Sequence, residues 1–194
     1  IDEGLIGLVV RCLTAGQRMS RAHDSGPDSS GDGSACGDHR EFSIFGLGTV
    51  VVDHQLYGVQ SVGSKVTLSR SLVRDTRYTR KAGKGGGYGL GAAGGSLLLE
   101  DSLVSGNHTA GVVVSGHGAT LELRRSAVVG TNKRLDGYGD GVVASGGATM
   151  KLSDSLVDRS ARVGLLFDRS GGRVSRSLLR AGIIGLVLKG GAAP

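Results

Sequence analysis

The feature that most constrains this chain is an internal repeat built on a serine followed by two apolar residues. The motif begins at Ser71, Ser102, Ser126, Ser155 and Ser177, so its spacings are 31, 24, 29 and 22 residues. A bend and then a glycine with aliphatic residues follow each copy. Self-similarity at a period of roughly 20 to 50 residues is typical of solenoids, so we expect each copy to be one coil of a stack.

The apolar segments of the repeat favour strands over helices. They are short, rich in β-branched residues and repeatedly interrupted by glycine. Stacked on the same segment of the next coil, each strand would pair its backbone above and below at about 4.8 Å. The chain has 36 Gly, 2 Pro, 3 Phe and no Trp, which leaves aliphatic residues to fill the core. We therefore predict an all-β, single-domain parallel β-helix over residues 1–194, in which 11–48 is the least regular stretch.

The spacing of the glycine-aliphatic segments predicts how many coils there are. Gly7 and Gly58 are 51 residues apart, which leaves room for two coils and indicates about eight in all. Long bends alternate with short ones along the chain. The long bends span 24–38, 74–88 and 130–140. We expect a two-coil repeat whose long loops project from one edge, with Tyr88 and Tyr138 in equivalent places.

The repeated pattern of Gly-Val-x-Val-x-Gly and x-Leu-x-Leu-x-x-Ser-x-Val resembles right-handed parallel β-helix repeats of the pectin-lyase-like superfamily. The resemblance covers nearly the whole chain and implies a right-handed solenoid. Proteins of this class often lie on bacterial surfaces or are secreted. The class includes lyases, hydrolases, epimerases, adhesins and phage tailspikes, so the resemblance does not specify an activity.

Two kinds of carbohydrate chemistry that occur in that class can be compared with this sequence. Gly116-His117-Gly118 resembles the Gly-His-Gly of polygalacturonases, but the paired aspartates and the Arg-x-Lys that those hydrolases need are absent. His117 is therefore predicted to be a turn residue. Pectate-lyase-like chemistry needs a Ca²⁺ site made of several carboxylates. The candidate ligands are Asp24, Asp28, Asp32 and Asp38. Their spacing matches no calcium motif, so we predict no cofactor and keep Ca²⁺ as the alternative.

The edge formed by the long loops carries the candidate binding residues. They are Asp75, Tyr88, Asp136, Tyr138 and Asp140. Acidic and aromatic side chains gathered along one edge are suited to contact a polysaccharide. Cys12 and Cys36 are 24 residues apart, about one coil. That separation leaves open a disulfide in an oxidising compartment or two separate thiols.

Strand alternation also predicts two outward apolar rows. If Ser71 and Val73 point inward, the residue between them points outward in every coil. The first row is Leu72, Leu103, Ala127, Leu156 and Leu178, and the second is Val113, Val143, Leu166 and Val187. Such rows on a rod indicate a partner surface or self-association. A shift of one residue in the phase would instead place them inside, and a loop packed over them would cover them.

These observations predict a non-catalytic structural or adhesive β-helix segment, cut from a longer bacterial protein that is secreted or on the cell surface. The alternative is a carbohydrate-active enzyme, lyase-like or hydrolase-like, or a glycan-binding module that uses the long-loop edge. The net charge of +6 is scattered along the chain and predicts no specific nucleic-acid partner. No apolar run reaches the roughly 18 residues of a membrane helix. The expected partners are other parts of the parent protein, a polysaccharide, or a second copy bound through the apolar rows or the open ends of the rod.

Overall fold

The computed structural model describes residues 6–11, 43–78, 86–133, 137–180 and 182–191. Every regular element in these ranges is a β-strand, and the strands pair in parallel within two sheets. No helix in these ranges has the length and apolarity needed to cross a bilayer. The predicted all-β architecture of stacked parallel strands is therefore confirmed.

Each coil contributes one strand segment to each of three faces. The first coil contains β1 (Ile6–Arg11), β2 (Ser43–Leu47) and β3 (Val50–Val52). In the next two coils a single long strand covers faces 1 and 2. These coils contain β4 (Tyr57–Ser69) with β5 (Leu72–Arg74), and β6 (Tyr88–Glu100) with β7 (Leu103–Ser105).

The remaining coils have three separate strands. The fourth contains β8 (Ala110–Ser115), β9 (Thr120–Arg124) and β10 (Ala127–Val129). The fifth contains β11 (Asp140–Ser145), β12 (Thr149–Ser153) and β13 (Leu156–Asp158). The sixth contains β14 (Val163–Asp168), β15 (Gly171–Ser175) and β16 (Leu178–Arg180), and β17 (Ile184–Lys189) begins a seventh. Strands β3, β5, β7, β10, β13 and β16 form face 3.

The register of β1 corrects the predicted number of coils. Ile6 pairs with Tyr57 and Leu8 with Val59, so the stretches around Gly7 and Gly58 belong to adjacent coils. The prediction of two coils between them is wrong, because β1 and β4 pair directly as neighbouring strands. The described ranges therefore hold six coils with a strand on each face and the first strand of a seventh, against about eight predicted for the whole chain.

The connections from face 3 back to face 1 differ in length. Residues 75–87 and 130–139 join β5 to β6 and β10 to β11, whereas the shorter stretches 53–56, 106–109, 159–162 and 181–183 join the other coils. The longer two leave from the same corner of the rod. The predicted long bend over 24–38 lies outside the described residues.

Columns of like aliphatic residues form the core. On face 1 the register stacks Val59, Leu90, Val112, Val142 and Leu165, and none of them is more than 1% exposed. Similar inward columns run down the other two faces. Each side chain therefore packs on a neighbour of the same kind in the coil above and below, which is why this interior needs few aromatic residues.

The repeated serine is buried at the corner between faces 2 and 3. The Ser126 hydroxyl donates to the Arg124 carbonyl at 2.8 Å and accepts from the backbone N–H of Ser102 at 3.1 Å. The same inter-coil bond joins all five anchor serines, namely Ser71, Ser102, Ser126, Ser155 and Ser177. The chain turns sharply there, so a side-chain oxygen takes the place of the backbone carbonyl that would continue the ladder. The strongest sequence signal is therefore structural.

Candidate functional site

A shallow groove of about 830 Å³ runs along face 3 and its corner with face 2. Its floor is an apolar row of one residue per coil, and its side is a column of charged residues. We call it the lateral groove. The apolar row is Leu72, Leu103, Ala127, Leu156 and Leu178, and the charged column is Arg70, Asp101, Arg125, Asp154 and Arg176.

The structure stacks the residues of the first predicted outward row in a single ladder along face 3. Val50 in the first coil continues the row and is 65% exposed. Leu103 and Leu178 are 39% and 58% exposed, and the other members are half-buried. Aliphatic side chains therefore face solvent at the spacing of the strands. The second predicted row, Val113, Val143, Leu166 and Val187, is stacked on face 1 and is half-buried.

The charged column alternates in sign from one coil to the next. Its five members share the position just before the anchor serine, and all have positive φ. Arg125 donates to both carboxylate oxygens of Asp101 at 2.7 and 3.1 Å, and Arg176 to both of Asp154 at 2.6 and 2.7 Å. These guanidinium hydrogen bonds hold the pKa of Asp101 and the pKa of Asp154 below their usual range. Both carboxylates are therefore ionised at neutral pH.

Two of the residues predicted for the long-loop edge form one cluster with an arginine. Asp140 is 2% exposed and accepts hydrogen bonds from Nε and Nη2 of Arg162 at 2.7 and 2.5 Å. The guanidinium of Arg162 also lies over the Tyr138 ring, 4.6 Å from its centroid. Asp140 therefore joins adjacent coils. Asp75 lies apart from this cluster and pairs with Arg74 at 3.4 Å.

Tyr88 belongs to a different group of residues, on face 1. It stacks on Tyr57, with the ring centroids 4.9 Å apart and the planes inclined by 21°. Tyr88 pairs with Ala110, and Ala110 pairs with Asp140, so Asp140 is the residue equivalent to Tyr88. The predicted equivalence of Tyr88 and Tyr138 is therefore wrong. The two loops differ in length, and only Tyr88 begins a strand. The aromatic pair borders a pocket of about 210 Å³, and burial raises the pKa of Tyr57.

Several predicted residues lie outside the described residues. They are Cys12, Asp24, Asp28, Asp32, Cys36, Asp38 and Asp136. Within the described ranges, no group of three or more His, Cys, Asp or Glu side chains is placed to hold a metal ion. His117 is exposed in a turn between β8 and β9, and both flanking glycines have positive φ.

Every acidic side chain of the described residues lies in an ion pair with a basic one. The acids are Asp53, Asp75, Glu100, Asp101, Glu122, Asp140, Asp154, Asp158 and Asp168. Most of the pairs join one coil to the next, as when Arg180 donates to both oxygens of buried Asp158 at 2.8 Å. The carboxylates in this part of the chain therefore bind coils together.

The charged column was not predicted, although the sequence carries a signal for it. The residue before each anchor serine reads Arg, Asp, Arg, Asp, Arg along the chain. The alternation in charge therefore has the same period as the repeated serine.

Comparisons with known proteins add little to this description. No family model matches the chain, and no curated protein matches it. Among solved structures, trypsin-treated QnrB1, a plasmid-mediated fluoroquinolone resistance protein, matches 76% of this chain and 91% of its own, at 10% identity and a TM-score of 0.21. A TM-score of that size supports no argument about this chain. The parallel β-helix therefore rests on the strand register, and membership of the pectin-lyase-like superfamily stays a prediction.

Proposed function

We propose that this chain is a non-catalytic structural or adhesive β-helix segment of a secreted or cell-surface protein, and that it makes its contacts along the lateral groove. The observation that carries the proposal is the apolar row, which exposes an aliphatic side chain in one coil after another. Contiguous exposed apolar surface of this kind marks interaction sites on soluble proteins. A stack of stiffly hydrogen-bonded coils is suited to present such a row at a fixed spacing.

The state of the carboxylates also supports this reading. Glycoside hydrolysis needs two cooperating carboxyl groups, one of which keeps its proton near neutral pH. Arginine hydrogen bonds lower the pKa of Asp101, of Asp154 and of Asp158, which is the opposite direction. Carboxylates tied to arginines in this way stabilise the rod and are poor proton donors.

Turnover of polyuronates tests the proposal. The full chain would be incubated with polygalacturonate and related polyuronates, once with Ca²⁺ and once with a chelator. Unsaturated products and new reducing ends would be measured against heat-denatured protein. We expect the native and the heat-denatured protein to give the same amount of product in both conditions. Product formation that requires the native protein would refute a non-catalytic role, and its loss on chelation would point to a lyase.

A glycan-binding role is the second candidate, and the stacked Tyr57–Tyr88 pair favours it. Sugar rings pack their C–H faces on exposed aromatic rings, and Gln60 in the same pocket offers polar groups. Binding of oligosaccharides would be followed by the NMR signals of the sugar. Loss of binding in Tyr57→Ala, with binding kept in Tyr138→Ala, would support this role over the adhesive one.

A further inference from the structure

We infer that the lateral groove docks a second copy of this chain, with the two rods antiparallel and displaced by one coil. The inference rests on the proposed function, because it names the partner of the same groove. Three observations carry it: the exposed apolar row, the alternating sign of the charged column, and the equal spacing of both along one face.

The symmetry of such a dimer follows from the shape of the groove. Two sheets pack face to face at about 10 Å with their inner side chains interdigitated. A two-fold axis parallel to the strands reverses the direction of the rod and leaves the strand direction unchanged. Each apolar row then meets the apolar row of the other copy, and each charged column lies opposite the other charged column.

The alternating charges select the register of the two rods. If the two charged columns overlapped fully, Arg125 would face its own copy and Asp101 would face Asp154, so every opposed pair of the columns would carry like charges. Displacement by one coil makes every opposed pair opposite in sign. In one such register Arg70 meets Asp154 and Asp101 meets Arg125, each twice by symmetry. Charge patterns at an interface set register and partner choice in this way.

The size of the groove indicates how tight the dimer is. Five coils at about 4.8 Å and a width of four residues at about 3.3 Å give a face of roughly 300 to 400 Å² per copy. A standard stable interface buries about 800 Å² per partner. We therefore expect a weak and reversible dimer, whose register depends on charge and whose affinity depends on the apolar row.

Sedimentation of the full chain over a range of concentrations, up to the millimolar range, tests the apolar part. The wild-type protein is expected to pass from monomer to dimer. Leu156→Asp, in the apolar row, is expected to remain monomeric. Leu166→Asp changes a Leu that is also half-buried, but on face 1, and is expected to dimerise like wild type. A wild-type protein that stays monomeric, or an equal loss in both variants, would overturn the inference.

Two like-charged columns test the register. Asp101→Arg with Asp154→Arg makes the column wholly basic, and Arg70→Asp with Arg125→Asp and Arg176→Asp makes it wholly acidic. Each variant alone is expected to be monomeric, and an equimolar mixture to dimerise. Circular dichroism checks that both are folded. Folded variants that do not associate when mixed, or that still associate alone, contradict the inference.

A milder substitution covers the case in which a like-charged column prevents folding. Asp154→Asn keeps the shape of the side chain and removes one charge, and by symmetry it affects two contacts. We expect self-association to weaken roughly two- to tenfold and to depend less on salt. Unchanged affinity and salt dependence would contradict the inference.

The outcomes separate this inference from the proposed function. A protein that is monomeric at all concentrations, but whose adhesion to a surface is lost in Leu156→Asp, overturns the second copy as partner and leaves the adhesive groove in place. Polyuronate turnover overturns the non-catalytic role, whatever the state of association.

Discussion

Replacing Ser126 by Ala tests what the repeated serine does. The hydroxyl is buried, with the residue 4% exposed, and it has two backbone partners. It donates to the Arg124 carbonyl and accepts from the Ser102 N–H. The Arg124 carbonyl keeps a second partner in Ser126→Ala, because the Asp101 N–H also donates to it, at 3.1 Å. The Ser102 N–H is left with no partner in this structure.

The magnitude follows from that single unsatisfied donor. A buried N–H that loses its acceptor costs about 1 to 3 kcal/mol. The methyl group of alanine fits the space and leaves almost no cavity, so we expect a loss of about 2 kcal/mol in the free energy of unfolding. For a chain of this length, 1 kcal/mol shifts Tm by roughly 2 to 4 °C. The expected decrease in Tm is therefore about 4 to 8 °C.

Urea unfolding and thermal denaturation of the two proteins would measure the effect. Ser153→Ala is the matched control, because Ser153 lies on the outward side of β12 and is half-buried. The free energy of unfolding of Ser153→Ala should stay within about 0.5 kcal/mol of the wild-type value. A Ser126→Ala protein as stable as the control would refute the view that the serine hydroxyl supplies the missing link of the ladder at the corner.

Further predictions follow from the ion pairs and from the core. Arginine hydrogen bonds lower the pKa of Asp158 and of Asp154, so the stability they contribute is complete above the unfolded pKa of about 3.9 and is lost as the pH falls through the lower folded value. We expect the Tm of the wild type to be steady from neutral pH to about pH 4 and to decrease at lower pH, and we expect a smaller decrease in Asp158→Asn. The same dependence of Tm on pH in both proteins would contradict this. Phe167→Ala should lose about 3 to 5 kcal/mol, measured by urea unfolding, since Phe167 is fully buried. Gly141→Ala should lower the free energy of unfolding by roughly 1 to 3 kcal/mol in the same assay, because the added Cβ would lie 2.6 Å from the Gly164 carbonyl oxygen. Wild-type stability in either Phe167→Ala or Gly141→Ala would refute this packing.

The sequence was sufficient to predict the stacked strands and the two outward rows, because one strand period repeats in each coil. Inward Val73 and the outward Leu72 before it alternate as the two-residue period requires. In a solenoid each coil contacts mainly its neighbours, so a local pattern determines most of the packing. The anchor serine was easily recognised as a repeat, but its role at the corner depends on a bond to another coil.

The parts that sequence could not supply depend on contacts between coils. The 51 residues from Gly7 to Gly58 are long enough for two coils, and only the pairing of Ile6 with Tyr57 shows that the two stretches lie on neighbouring strands. The acids near the long loops looked available for binding. Asp140 is in fact paired with Arg162, which lies 22 residues further along the chain. No local sequence pattern predicts that pair.

Disulfide cross-linking across neighbouring coils tests the stacking most directly. Glu122 pairs with Lys151, and Lys151 with Arg173, so the first two lie one coil apart and Glu122 and Arg173 two coils apart. Those separations are about 4.8 and 9.6 Å, and a disulfide needs its Cα atoms within about 7 Å. With Cys12 and Cys36 replaced by serine, Glu122→Cys with Lys151→Cys should oxidise readily within one chain. Glu122→Cys with Arg173→Cys should remain reduced. Equal cross-linking of both pairs, or cross-linking of the second alone, would contradict the register on which this account of the protein rests.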